Sequence, residues 1–127
     1  MKEVSAKTPS DVIILTPNFM ASHDSPRIAN RHRQFAHTIF DRQNDGTLKA
    51  FVDALRDVGR ALDVPVADVY AEWDKMAAAG IEVTARLCNG LNHPDVAGQR
   101  LIAETLFALV ERAAVTKGRE NGKPVKP

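Results

Sequence analysis

The chain has little of what several large classes of protein require. Its single cysteine, Cys88, excludes an intrachain disulfide and a zinc site built from cysteines. Its longest apolar run is about five residues, far short of the roughly 18–20 that cross a bilayer. An excess of one charge is also missing, because 17 Lys and Arg against 16 Asp and Glu leave a net charge of +1. A protein that coats nucleic acid or an anionic membrane is therefore not expected.

What is present fits one globular domain. The 127 residues are 44% hydrophobic and 26% charged, which is close to the average for such domains. Residues 1–7 are charged and have no apolar stretch behind them, so they are predicted to be the end of a helix and not a secretory signal. As it stands the chain is expected in the cytoplasm, while the compartment of a longer parent protein stays open.

Two apolar segments predict parallel strands. Residues 11–16 form a β-branched run that ends at Pro17, a pattern typical of a strand covered on both faces. Residues 66–70 predict a second strand. Between them, Thr47 is placed to cap an amphipathic helix over residues 48–62. Strand, helix and strand in this order predict neighbouring parallel strands with a right-handed crossover.

The rest of the chain predicts two more helices and a long polar segment. Residues 71–79 are helical by propensity, and Gly80 is placed to end that helix. Pro94 is expected at the first position of a last helix that reaches about Arg112. The polar segment 17–46, with a short helix near 34–40, follows the first strand and is expected to carry function.

The number of strands indicates an incomplete sheet. A parallel sheet buried on both faces has about five or six strands, and the sequence predicts only two. Residues 1–112 are therefore expected to be the carboxyl-terminal part of a larger α/β domain whose amino-terminal strands are missing. Residues 113–127 are predicted to be a disordered basic tail.

His93 is the residue best suited to proton transfer. Pro94 is expected to fix the helix start, which places His93 on a loop where its imidazole points away from the core. A general base needs such an exposed and oriented ring. The surrounding motif is Asn89-Gly90-Leu91-Asn92-His93-Pro94, followed by Gly98 and by Ile102-Ala103-Glu104.

With residues 69–73, Gly80 and the strand 12–17 in the same order, this motif resembles the carboxyl-terminal signature of the SGNH, or GDSL-type, ester hydrolases. The likeness covers roughly residues 2–110. It implies a flavodoxin-like three-layer α/β/α sandwich with a parallel sheet. It also implies cleavage of acyl or O-acetyl esters, of a small-molecule or carbohydrate substrate, by a serine nucleophile and a histidine base. No cofactor and no metal are expected.

The resemblance implies His93 as the general base. The family's Gly-Asp-Ser nucleophile motif is not in this sequence, and its oxyanion Gly and Asn also belong to an earlier region, so the isolated chain is expected to be inactive. The family carries an acidic residue three positions before the histidine, where this chain has Gly90 beside Asn89. Asn89 is the candidate to orient the imidazole. Asp95 and Asp74 are alternative acids, and a serine–histidine dyad is the remaining option.

Other polar side chains have plainer interpretations. Ser25 follows Asp24 but lacks a preceding glycine, which favours a turn over a nucleophile. Trp73, at helical spacing from Met76, and Cys88 are expected in the core. Solvated positions, rather than a metal site or an anion site, are expected for the histidines and arginines of the polar segment: His23, His32, His37, Arg27, Arg31 and Arg33.

Two other classes of function stay open. The first is a non-enzymatic α/β interaction module that pairs an exposed strand edge with another chain, including self-association through that edge. The second is a nucleic-acid binder that uses residues 27–33, which the near-neutral net charge disfavours.

Overall fold

Between residues 12 and 120 the chain forms two short parallel strands and four α-helices, an arrangement of the α/β class. A computed structural model describes residues 12–120, with side chains as far as residue 112. The strands are β1 (Ile14–Leu15) and β2 (Val66–Ala67), and the helices are α1 (Arg33–Asn44), α2 (Thr47–Leu62), α3 (Val69–Ala78) and α4 (Val96–Glu120). Short 3₁₀ turns lie at Asn30–His32 and Thr84–Arg86. The flavodoxin-like sandwich stays a prediction.

The two strands pair as the sequence predicts. Ile14 lies opposite Val66, Leu15 lies opposite Ala67, and the strands run parallel. The chain between them contains α2, which confirms the predicted connecting helix. The helix rests directly on one face of the sheet, because a Cβ added at Gly59 would overlap the Val66 side chain and lie 3.7 Å from Ile14 Cδ1.

The first strand is less buried than predicted. Ile14 is buried, but Leu15 is 46% exposed, so the prediction of a strand covered on both faces is wrong at Leu15. Successive side chains of a strand point to opposite faces, and Leu15 therefore points away from the face on which α2 packs. Strand geometry within the predicted segment 11–16 is limited to these two positions, and residue 11 lies outside the described residues.

Helix α2 begins without the predicted threonine cap. Its N-cap is Gly46, at a φ of 83°, and the Thr47 N–H donates to Asp45 Oδ1 at 2.8 Å. The aspartate therefore satisfies a free N–H of the first turn in place of the Thr47 hydroxyl. The predicted extent of the helix agrees with the structure.

Asp68 ends β2 and starts α3. Its Oδ1 accepts the Ala71 N–H at 3.2 Å, which is the N-cap interaction, and α3 begins at Val69 rather than at residue 71. The same carboxylate accepts the Thr16 hydroxyl at 3.1 Å and the Arg56 Nε–H at 2.8 Å. Because Thr16 follows β1, this carboxylate ties the carboxyl ends of both strands together.

The core lies around α3. Trp73 is fully buried, and its ring centroid is 6.3 Å from that of Phe19, which confirms the predicted core position. Cys88, also predicted in the core, is exposed. Its neighbour Leu87 is fully buried, and the chain is extended where Leu87 bridges to Pro94, so the next side chain faces outward.

The last helix begins later and ends later than predicted. Asp95 Oδ1 accepts the Gly98 N–H at 2.8 Å, so Asp95 caps α4 and Pro94 is not its first residue. The helix continues to Glu120, so residues 113–120 of the predicted tail are helical. Residues 121–127 of that tail, and the helical end predicted at 1–7, lie outside the described residues. Among the described helices, none is long and apolar enough to cross a membrane.

Candidate active site

The loop between the second 3₁₀ turn and α4 presents His93 to solvent. Its ends are closed by an antiparallel bridge between Leu87 and Pro94 and by the Cys88 N–H, which donates to the His93 carbonyl at 2.8 Å. The His93 side chain is exposed. No described residue hydrogen-bonds or pairs with its imidazole, so both ring nitrogens are available to an external group.

Asn89 holds this loop together through the backbone. Its Oδ1 accepts the N–H groups of Leu91 at 3.0 Å, Asn92 at 3.0 Å and His93 at 2.9 Å. Its amide nitrogen donates to Asn92 Oδ1 at 3.0 Å. The predicted role of Asn89 is therefore corrected, because it positions the main chain that carries His93 and does not hydrogen-bond the ring.

Gly90 occupies a position that only glycine fits. Its φ is 69°, in the left-handed region, and a Cβ there would lie 2.9 Å from Ile28 Cγ1 and 3.1 Å from Ser25 Oγ. The carboxylate that the family resemblance implies at this position has no room in this loop. The glycine instead lets the His93 loop approach the segment that follows β1.

Hydrogen bonds hold the His93 loop against the segment that follows β1. The Ala21 N–H donates to the Leu91 carbonyl at 2.7 Å, and Asn18 Nδ2 donates to the Asn92 carbonyl at 3.1 Å. Residues 18–21 leave the carboxyl end of β1, and α/β sheets bind ligands at that end of their strands. The structure therefore brings the His93 loop against the segment that leaves the carboxyl end of β1.

Neither candidate acid joins His93. Asp95 caps α4, and its Oδ2 lies 3.6 Å from Arg86 Nη1. Asp74 is exposed on α3, and its carboxylate makes no hydrogen bond to a side chain or backbone group within the described part of the chain. Among the described residues, no carboxylate therefore pairs with the His93 imidazole, which leaves the dyad as the remaining option for a catalytic arrangement.

A second contact between a hydroxyl and an imidazole lies in the loop after β1. Ser22 Oγ is 3.0 Å from His23 Nδ1 and 3.2 Å from Thr84 Oγ1, and His23 Nε2 is 3.8 Å from Glu82 Oε1. Glu82 also accepts the N–H groups of Thr84 and Ala85, so the network ties this loop to the second 3₁₀ turn. Sequence reasoning missed it because adjacent Ser22 and His23 have no distinctive spacing and Glu82 is far along the chain.

The polar segment 17–46 contains a helix and a turn that the sequence predicts. The helix expected near 34–40 is present as the longer α1. Ser25 forms a turn, with its carbonyl accepting the Ile28 N–H at 3.1 Å, as predicted. His37 packs edge-on against Phe40, with ring centroids 5.9 Å apart. Within the described residues, no group of three or more His, Cys, Asp or Glu side chains is arranged to hold a metal ion.

A comparison with protein-family models, curated proteins and solved structures finds no match to this chain. A functional assignment therefore depends on the motif around His93 and on the geometry described above.

Proposed function

We propose that this chain supplies the histidine-bearing part of an SGNH/GDSL-type ester hydrolase, with His93 as the general base. The observation that carries the proposal is the exposed His93 imidazole on a loop that Asn89 braces and that docks on the segment leaving β1. A general base needs an accessible ring at a fixed position. The carboxyl ends of parallel strands are where α/β folds place their substrates.

In the proposed reaction, His93 takes the proton of a serine hydroxyl as that oxygen attacks the carbonyl carbon of an ester. It then returns the proton to the oxygen of the departing alcohol, and a water molecule hydrolyses the acyl-serine in a second round. The substrate is an acyl or O-acetyl ester of a small molecule or carbohydrate. With no carboxylate beside His93 in the described residues, the pair works as a dyad.

The serine is assigned to a segment outside this sequence, which holds no Gly-Asp-Ser motif. The same proposal includes a flavodoxin-like sandwich in which further parallel strands extend the sheet beside β1. The exposed Leu15 side chain and the unpaired edge of β1 within the described residues support it.

The test uses a longer protein in which these residues follow a Gly-Asp-Ser segment. His93→Ala is expected to lower kcat for p-nitrophenyl acetate by a factor on the order of a thousand while its Tm stays unchanged. Asn89→Ala is expected to lower kcat by a smaller factor, because the amide positions the loop and contributes no charge to the transition state. His37→Ala, which removes an exposed imidazole on α1, is the matched control and keeps full activity.

Two results contradict the proposal. One is a His93→Ala enzyme that retains most of its activity. The other is a coding sequence with no Gly-Asp-Ser segment in frame ahead of Met1.

A second candidate function is an interaction module without catalysis. It is favoured by apolar side chains that the described residues leave exposed: Leu15, Phe51, Val58, Phe107 and Val110. Burying such surface against a second copy through the β1 edge is favourable. Sedimentation is expected to show self-association that rises with concentration and falls in Leu15→Lys. A stable monomer at high concentration contradicts this candidate.

A further inference from the structure

Arg27 and Arg31 differ from most other cations of the described chain. Carboxylate partners are present for Arg33, Arg42, Lys49, Arg56, Arg60, Lys75, Arg86 and Arg100. Arg27 and Arg31 are exposed and have no carboxylate partner among the described residues. Their positive charge is therefore available to an anion from outside.

Arg27 is anchored beside the His93 loop. Its N–H donates to Ser25 Oγ at 3.3 Å, and its Nη1 donates to the Ala85 carbonyl. Ser25 and Ile28, on either side of Arg27, are the residues that approach Gly90 most closely. The guanidinium is thus held by one N–H, and its other donors have no partner in the described residues.

Arg31 lies in the first 3₁₀ turn, shortly after Arg27. Its Nε donates to His32 Nε2 at 3.1 Å, which leaves the two terminal nitrogens without a described partner. The nearby carboxylate of Asp24 is compensated by Arg33, with both Oδ atoms 3.2 Å from Arg33 Nη1. The acid nearest to this turn in the sequence is therefore already paired, while the terminal nitrogens of Arg31 stay open to an external anion.

We infer that Arg27 and Arg31 bind an oxyanion on the substrate, so that the ester cleaved at His93 carries a carboxylate or phosphate group. A guanidinium presents parallel N–H donors that match the oxygens of either group. The assignment of this anion to the substrate rests on the proposed function. Binding of an anion by Arg27 and Arg31 does not depend on it.

The test measures binding to the isolated chain and needs no turnover. The isotope-labelled protein is titrated with benzoate, with phenyl phosphate and with uncharged benzyl alcohol, and amide chemical shifts report the contact. We expect shifts in residues 25–31 and 85–94 for an anion, none for benzyl alcohol, and weaker binding as salt is added. Arg27→Gln and Arg31→Gln each weaken binding about tenfold. Arg60→Gln, which removes an exposed arginine paired with Asp57, is the control and changes nothing.

Binding of only one of the two anions supports the inference and identifies the group on the substrate. Equal affinity in Arg27→Gln, Arg31→Gln and the unaltered chain overturns it, and so does equal binding of benzyl alcohol. If Arg27→Gln lowers the Tm by removing the hydrogen bond to Ala85, the Arg31→Gln variant decides, because within the described residues the Arg31 side chain hydrogen-bonds only to its neighbour His32. A chain that binds no anion does not contradict the proposed role of His93. A His93→Ala enzyme that stays active does not contradict the anion site.

Discussion

Asn89 Oδ1 lies 2.9 Å from the backbone nitrogen of His93 and also accepts the N–H groups of Leu91 and Asn92. One side-chain oxygen thus accepts three N–H groups within the loop, in addition to the backbone hydrogen bond that closes it between Cys88 and His93. The position of the proposed base depends on this amide and not on a carboxylate.

Replacing Asn89 tests that dependence. Asn89→Ala is expected to lower the free energy of unfolding by about 1–3 kcal/mol, because three N–H groups lose their acceptor. Asn89→Asp keeps an acceptor oxygen in place and is expected to lose less. Urea unfolding of both variants measures the difference. An equal loss in both shows that the acceptor oxygen is not what stabilises the loop.

The close packing of Gly90 against Ile28 can be tested by comparing substitutions at Gly90 and at Gly80. Both have a positive φ, 69° and 81°, but a Cβ at Gly80 meets nothing within 4 Å, whereas one at Gly90 lies 2.9 Å from Ile28 Cγ1. Alanine at either position carries the left-handed backbone cost of about 1–2 kcal/mol. Gly90→Ala is expected to lower the Tm more than Gly80→Ala does in thermal unfolding. Equal losses contradict the packing of the His93 loop on the Ser25 turn.

The free energy of unfolding is expected to decrease at acidic pH because Asp68 becomes protonated. Burial by itself raises the pKa of this carboxyl, but hydrogen bonds from Arg56, the Ala71 N–H and Thr16 prevail, so the pKa is lowered. The unfolded chain then binds protons first as the pH falls. The contribution is fully present above the unfolded value of about 3.9 and is lost as the pH falls through the lower folded pKa.

Asp68→Asn is expected to reduce stability at neutral pH by about 1–3 kcal/mol and to flatten the acid decline in chemical denaturation. Asp41→Asn, which changes an exposed carboxylate on α1, is the control and keeps the decline. An Asp68→Asn protein with an unaltered acid profile rules out this carboxylate as its source.

The isolated chain is expected to show no hydrolysis of p-nitrophenyl acetate above the buffer rate, because a base without a nucleophile does not form an acyl-enzyme. Turnover that disappears in Ser25→Ala, or in Ser22→Ala, whose hydroxyl lies 3.0 Å from His23 Nδ1, contradicts this expectation.

Much of the fold could be predicted from local pattern. Helix α2, the parallel pair of strands and the end of α3 near Gly80 agree with the sequence because apolar spacing and glycine act over a few residues. Trp73 is in the core for the same reason, since its helix buries one face.

The details of the site required the tertiary structure. Asp95 caps α4, and Pro94 lies outside the helix because it bridges to Leu87. The same bridge turns Cys88 outward. The need for glycine at position 90 arises only from Ser25 and Ile28, which lie far away in sequence and close in space. By itself the sequence determined which residue types surround His93. Only the packing of two distant loops decided which of them hold the backbone and which face solvent, because hydrogen-bond partners and steric room are set by contacts that no local pattern contains.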